Sequence, residues 1–258
     1  MSLSARPSTI GTRFHNYLYE ALGLDFIYKA FAPVDIGAAI QGMRGLPIRG
    51  AGISMPFKEA VIPLIDSLDE SARAIQAVNT IVNTDGHLRG YNTDMQAVAT
   101  LLREAGVSAS DRVAVIGSGG MAKACVAAVQ SLGVTNAVVV ARQAERGENL
   151  ANLYDFGFAK GCDGADVVIN ATPVGMAGGD AASQLPVSEG TVTGARLVMD
   201  SVAVPADTPL IRLAESSNVR TVSGTQIMTL QAVEQFKLYT GVTPGAELVE
   251  AAALYSRS

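Results

Sequence analysis

Few residues in this chain are equipped for acid–base or nucleophilic chemistry. Of its 258 residues two are histidine, His15 and His87, and two are cysteine, Cys125 and Cys162. The histidines lack metal-motif spacing, no GxSxG serine accompanies them, and the cysteines form no CxxC pair, which argues against zinc, serine-triad and disulfide chemistry. Proton transfer is left to Lys, Asp or Glu. One motif carries cofactor chemistry. Gly117, Gly119 and Ala122 fill G-x-G-x-x-G/A in GSGGMAKA, directly after the apolar run RVAVI and before a helical pattern. Gly117 permits the tight turn and Gly119 lets backbone approach a pyrophosphate. Ser118, Gly120 and Met121 supply the amides at the positive end of the helix.

An NAD site normally places an acidic residue about 20 positions further on, against the ribose hydroxyls. Here the strand NAVVVA is followed by Arg142, with Arg146 a turn away. Guidinium groups at that point suit a 2′-phosphate, so the expected cofactor is NADP. Hydride transfer from a secondary alcohol also releases a hydroxyl proton, which needs a positioned base. Lys58 is the candidate. The pattern after Pro56 predicts a helix through Phe57, Ala60, Val61 and Leu64, whose first turn disfavours a cation without a purpose.

These residues need a scaffold, and the patterning supplies one. Phe14, Leu18, Ala21 and Leu22 form a helical stripe with Thr12 as its expected N-cap and Gly23 as its stop. FIYKAF and residues 48–54 read as strands. AVNTIVNTDGHLRGYNTD reads as a hairpin turning at Asp85-Gly86, followed by a helix capped at Thr93 or Asp94. From residue 112, RVAVIG, NAVVVA, DVVIN and ARLVMDSVA alternate with helical patterns, one of them begun by Thr208-Pro209, and residues 219–222 form a last strand. Continuous apolar strands in that alternation imply a parallel sheet covered on both faces. Two helices, 227–239 and 245–255, end the chain. The expected division is a domain of residues 1–95 and 223–258 and a second of residues 96–222.

A net charge of −5, an apolar fraction of 48% and the absence of a basic run speak against nucleic acid as a partner. No apolar stretch approaches a bilayer span and the opening residues lack a secretory pattern, so the expected location is the cytoplasm, away from membranes.

Several further motifs, in order along nearly the whole chain, resemble the shikimate dehydrogenase family. GAGISMPFK ending in Lys58 is similar to the family's G-x-N-V-T-x-P-x-K, Ala77 to Thr80 to its A-V-N-T, Asn92 to Asp94 to its N-T-D, and Asn170 to Met176 to its N-A-T-P-x-G-M. Gly224 and Gln231 match a family glycine and substrate-contacting glutamine. The resemblance implies an α/β fold of two domains, an N-terminal substrate domain and a Rossmann-type NADP domain with the active-site cleft between them. It implies reversible oxidation of shikimate to 3-dehydroshikimate in aromatic amino-acid synthesis, by a monomer or homodimer. It further implies Lys58 and Asp94 as the catalytic pair, Thr9, Ser54, Asn79 and Gln231 as substrate ligands, and Thr172, Met176 and Gly224 beside the cofactor. The substrate side departs from the family. Its Ser-x-Ser clasp aligns with Thr9 and Gly11, its Asn with Gly52, its Thr with Ser54 and its Tyr with Ala203. That pattern resembles the shikimate dehydrogenase-like branch and leaves the substrate open. Quinate or another hydroxy acid, a methylene-tetrahydrofolate dehydrogenase, or an NADP-binding regulator without turnover are the rival readings.

Overall fold

The computed structural model describes residues 1–257. In chain order the elements are β1 (Ser2–Leu3), α1 (Ile10–Ala21), β2 (Ala30–Phe31), α2 (Ile36–Gly45), β3 (Gly50–Ile53), β4 (Ser67–Leu68), α3 (Glu70–Ile75), β5 (Thr80–Thr84), β6 (His87–Tyr91) and α4 (Thr93–Glu104). There follow β7 (Val113–Ile116), α5 (Gly120–Ser131), β8 (Ala137–Val140), α6 (Ala144–Asn152), β9 (Gly157–Ala159), β10 (Val167–Asn170), α7 (Glu189–Gly194), β11 (Leu197–Asp200), α8 (Pro209–Ser216), β12 (Arg220–Val222), α9 (Gly224–Thr240) and α10 (Ala246–Arg257). The chain divides into two compact units, Met1–Thr93 with Thr229–Ser258, and Asp94–Met228.

The first unit holds a mixed sheet in the order β2-β1-β3-β5-β6-β4. The β5–β6 hairpin pairs Thr84 with His87 and turns through Asp85 and Gly86, both at positive φ, as its Asp-Gly sequence demands. Leu3, Ile40, Met43, Ala51, Ile53, Ala72, Ile81 and Leu88 form one core. The second core gathers Phe14, Leu18 and Tyr19 of α1 with Tyr28, Phe236 and Tyr239, and Ala252 and Ala253 of α10. The two C-terminal helices thus complete the N-terminal sheet. Helix α1 begins at Ile10 with Thr9, not Thr12, in the cap position, and the Thr9 hydroxyl makes no capping bond. FIYKAF contributes only Ala30 and Phe31 to the sheet.

The expected helix at Lys58 is absent. Residues 55–61 are successive turns, closed by a short 3-10 segment at Ile62–Leu64. A single bond of α-helical spacing, Val61 N to Phe57 O at 3.1 Å, stands among bonds that span three residues, such as Phe57 N to Ser54 O at 2.9 Å and Ile62 N to Glu59 O at 3.2 Å. Lys58 therefore does not stand in the dipole of a helix, and that reason for singling it out falls away.

The second core surrounds a titratable group. The His15 ring is 1% exposed and stacks on Tyr28 with centroids 4.4 Å apart. Burial lowers its pKa to about 3, the nearby N-terminal charge helps, and the Gln235 side chain pulls the other way. The unfolded chain takes up a proton near pH 6.5 that the native state refuses, so stability present above that pH is lost as pH falls toward 3. His15→Phe, which preserves the stacking, is expected to flatten this dependence, reducing the stability difference between pH 7 and pH 5 by about 2 kcal/mol. Denaturant unfolding of both proteins at the two pH values measures it. Equal slopes would show that His15 does not drive the pH response.

The second unit is a six-stranded parallel sheet in the order β12-β11-β10-β7-β8-β9. Counted from β7, this is 3-2-1-4-5-6 read from the far edge, the doubly wound arrangement that binds dinucleotides where the winding reverses. The switch point lies between β7 and β10, which pair from Val113↔Val167 to Ile116↔Asn170. Ala114, Ile116, Val168, Val198 and Leu210 pack on one face.

Candidate active site

Strand β7 ends at Ile116 and α5 begins at Gly120, so the chain must reverse over three residues. Gly117 makes this possible. Its φ is +125°, and a Cβ there would meet Ala171 O at 2.9 Å. Its amide bonds Val140 O at 2.8 Å, tying the loop to β8. Gly119 occupies the N-cap position without a side-chain acceptor, and a Cβ at either Gly119 or Gly120 would meet nothing within 4 Å. The surroundings of the two glycines at the helix start are therefore open, next to the first-turn amides that a helix leaves without partners, while Ala122 packs inward at 0% exposure. A pyrophosphate fits such a cradle.

Across the switch point, the loop after β10 is held by a buried polar network. Asn170 Nδ2 donates to Asp200 Oδ1 at 2.9 Å, and Asn170 Oδ1 accepts from the Thr172 hydroxyl at 2.6 Å. Thr208 donates to Asp200 Oδ2 at 2.6 Å while its oxygen caps α8 through the Ile211 amide. Burial raises the Asp200 carboxyl above its ordinary value, with the Thr208, Val202 and Asn170 donors acting against it. This network sets the loop in which Thr172 lies and at whose end Met176 stands 43% exposed. Gly224 opens α9 against the Val202–Ala203 peptide, where a Cβ would lie 2.7 Å from Ala203 N. Close backbone packing alone thus requires glycine at 224.

Arg142 follows β8 by two residues and is exposed, and the Arg146 guanidinium bonds Gln143 Oε1 at 3.3 Å. The side of the adenosine ribose in such a fold is accordingly basic.

In the first unit, Asn79 is the organising residue. It is 3% exposed, its Nδ2 donates to Thr93 Oγ1 at 3.0 Å, and its Oδ1 accepts from the Thr93 amide at 2.9 Å and from Thr80 Oγ1 at 2.8 Å. Asn79 therefore holds the first residue of α4, whose successor is Asp94, 8% exposed in the helix's first turn. A carboxylate there is favoured by the helix dipole. Thr93 Oγ1 also donates to Gln231 Oε1 at 3.3 Å. Lys58 lies beside the residue that precedes Asn79, since its carbonyl accepts the Val78 amide at 2.8 Å. Ser54 is exposed at the end of β3, and Asn79 O accepts the Ile53 amide at 2.7 Å. Side-chain bonds thus join Asn79, Thr93 and Gln231, and backbone bonds hold Lys58 and the residue before Ser54 next to the segment that carries Asn79, while Thr9 lies at the start of α1.

Two further residues had not been singled out. Gln235, one turn beyond Gln231, donates to Thr80 Oγ1 at 2.9 Å. Tyr28 places its hydroxyl 2.7 Å from where a Cβ at Gly52 would stand. Glycine at 52 is thus matched by a phenol that fills the space, a pairing invisible to motif reading because the residues are far apart in sequence. Gly52→Ala is expected to cost about 1–3 kcal/mol by overpacking. In Tyr28→Phe the same change should cost at least about 1 kcal/mol less, as a double-mutant cycle in urea would measure. Additive effects would mean that the two do not compete for space.

Among the described residues no helix is long and apolar enough to cross a membrane, and no group of His, Cys, Asp or Glu is arranged to hold a metal.

Comparisons with known proteins agree with this architecture. The family model for the shikimate dehydrogenase substrate binding domain matches residues 8–81. A shikimate dehydrogenase-like protein of Haemophilus influenzae is 46% identical over 100% of this chain and 96% of its own length. A shikimate dehydrogenase (NADP(+)) of Pyrococcus abyssi is 36% identical over 93% of this chain and 90% of its own. The solved structure of shikimate 5-dehydrogenase from Thermus thermophilus, in complex with NADP(H) and shikimate, superposes with a TM-score of 0.88 at 26% identity, covering 99% of this chain and 98% of that one. With near-complete coverage, a doubly wound sheet and a glycine cradle at its switch point, the chain belongs to the shikimate dehydrogenase family.

Proposed function

We propose that this protein is an NADP-dependent oxidoreductase that interconverts shikimate, or a closely related cyclic hydroxy acid, with its ketone. The observation that carries the reading is the open glycine cradle at a sheet switch point, in a chain that also carries an ordered Asn79–Thr93–Gln231 network. In this reading residues 1–95 and 223–258 bind substrate and residues 96–222 bind the cofactor. Gly117 to Ala122 hold the pyrophosphate, Arg142 the 2′-phosphate, and Thr172, Met176 and Gly224 border the nicotinamide. Bound NADP supplies hydride acceptance and donation. The chain supplies the rest. Lys58 Nζ takes the proton of the reacting hydroxyl on oxidation and returns it on reduction. Asp94 orients that hydroxyl and the amine. Asn79 holds Thr93, the residue before Asp94, and Asn79, Gln231, Ser54 and Thr9 bind substrate oxygens.

The substrate panel of shikimate, quinate and related hydroxy acids, each with NADP and with NAD, tests the reading by nicotinamide absorbance. Turnover of at least one member with NADP is expected, and turnover of none would favour a binding protein without catalysis. Position 11 gives a second test. A Cβ there would make only an ordinary 3.7 Å contact with the Tyr28 ring, so serine fits. Serines at 9 and 11 together should lower the KM for shikimate by supplying hydroxyls to its carboxylate. An unchanged or raised KM would place the carboxylate elsewhere.

A further inference from the structure

The edge strand β9 is the least conspicuous element of the second unit, and a cation follows it directly. β8 and β9 run parallel with Val140 opposite Ala159, so both chains leave the sheet at the same carboxyl end. Arg142 comes two residues after Val140 and Lys160 one residue after Ala159, on neighbouring strands about 4.8 Å apart. Both side chains are exposed, and neither forms a salt bridge among the described residues. The remaining cation of the group, Arg146, is brought down by its neighbour. Gly147 of α6 is buried, and a Cβ there would lie 2.5 Å from the Phe158 ring and 3.0 Å from the Ala141 Cβ. The helix consequently rests on Phe158, two residues before Lys160, which stands in the bend directly after β9. Arg142 and Lys160 thus follow neighbouring strands at the same carboxyl end, with Arg146 in the first turn of α6, and none of the three forms a salt bridge among the described residues; this is the end of the sheet where a dinucleotide's adenosine lies in such an arrangement.

We infer that Lys160 is a specificity-determining residue that completes an anion subsite with Arg142 and Arg146 for the 2′-phosphate of the cofactor. The inference rests on the proposed NADP reading. An unpaired ammonium beside a doubly charged phosphate adds attraction that NAD cannot use, and its contribution is screened by salt.

Calorimetric titration of NADP and of NAD into the parent, Lys160→Ala and Lys160→Arg, at low and at moderate salt, tests it. Lys160→Ala is expected to weaken NADP about five- to tenfold at low salt, less at moderate salt, and to leave NAD within about twofold. Lys160→Arg should retain most NADP affinity. Unchanged NADP affinity in Lys160→Ala, with a parent that still prefers NADP, overturns the role of Lys160 and leaves the cofactor reading standing. Equal losses for both cofactors also overturn it, since the lysine would then act away from the 2′-phosphate. A parent that binds the two cofactors equally removes the reading on which the inference depends.

Discussion

Lys58→Ala should reduce turnover on the order of a hundredfold or more while leaving NADP affinity and unfolding stability near parental values. Proton transfer is required as the hydride leaves and contributes almost nothing to holding the cofactor, so the loss should appear in kcat rather than in cofactor binding. The side chain is only half-buried, and the bond its carbonyl accepts from the Val78 amide survives truncation. Asp94→Asn keeps shape and a hydrogen-bonding oxygen and should cost less than Asp94→Ala. If the two residues act on one proton, removing both costs little more than removing Lys58. A double mutant whose rate falls by the product of the two single effects would refute the shared role.

Arg142→Asp should reverse the cofactor order. The parent is expected to bind NADP more tightly than NAD, because the exposed guanidinium can form charge-assisted hydrogen bonds with a 2′-phosphate. Replacing it with a carboxylate removes those bonds and adds repulsion, so NADP affinity should fall on the order of a hundredfold. NAD should bind equally well or better, since an acidic group after this strand can accept from both ribose hydroxyls. Calorimetry on both proteins decides it, and unchanged NADP binding in the variant would remove Arg142 from the site.

The parts of this molecule that could be read from its sequence are those whose signals are local. The Asp85-Gly86 hairpin, the apolar strands β7, β8, β10 and β11, the Thr208 cap and the glycine loop all announce themselves within about ten residues. Strands β1, β2 and β4, at two residues each, are too short for alternation to register. Residues 55–61 misled because Pro56 and the apolar spacing after it satisfy the rule for a helix start, whereas the chain closes its backbone bonds locally in turns. Helices α2 and α3 had usable signals in Asp35 and Asp69, whose side chains accept the Ala38 and Ser71 amides at 3.0 and 3.1 Å, but they lie outside the motif-bearing segments. The packing of Tyr28 on Gly52 and the grip of Asn79 on Thr93 join residues distant in sequence. No local pattern encodes such contacts.

Hydride transfer itself is the central claim, and isotope tracing tests it most directly. The protein is mixed with NADP and shikimate deuterated at the carbon bearing the reacting hydroxyl, and the nicotinamide product is examined by mass spectrometry. NADPH carrying one deuterium, formed in step with the ketone, is expected. Ketone formed with unlabelled NADPH, or no reduced nicotinamide from shikimate or any related hydroxy acid, would contradict it.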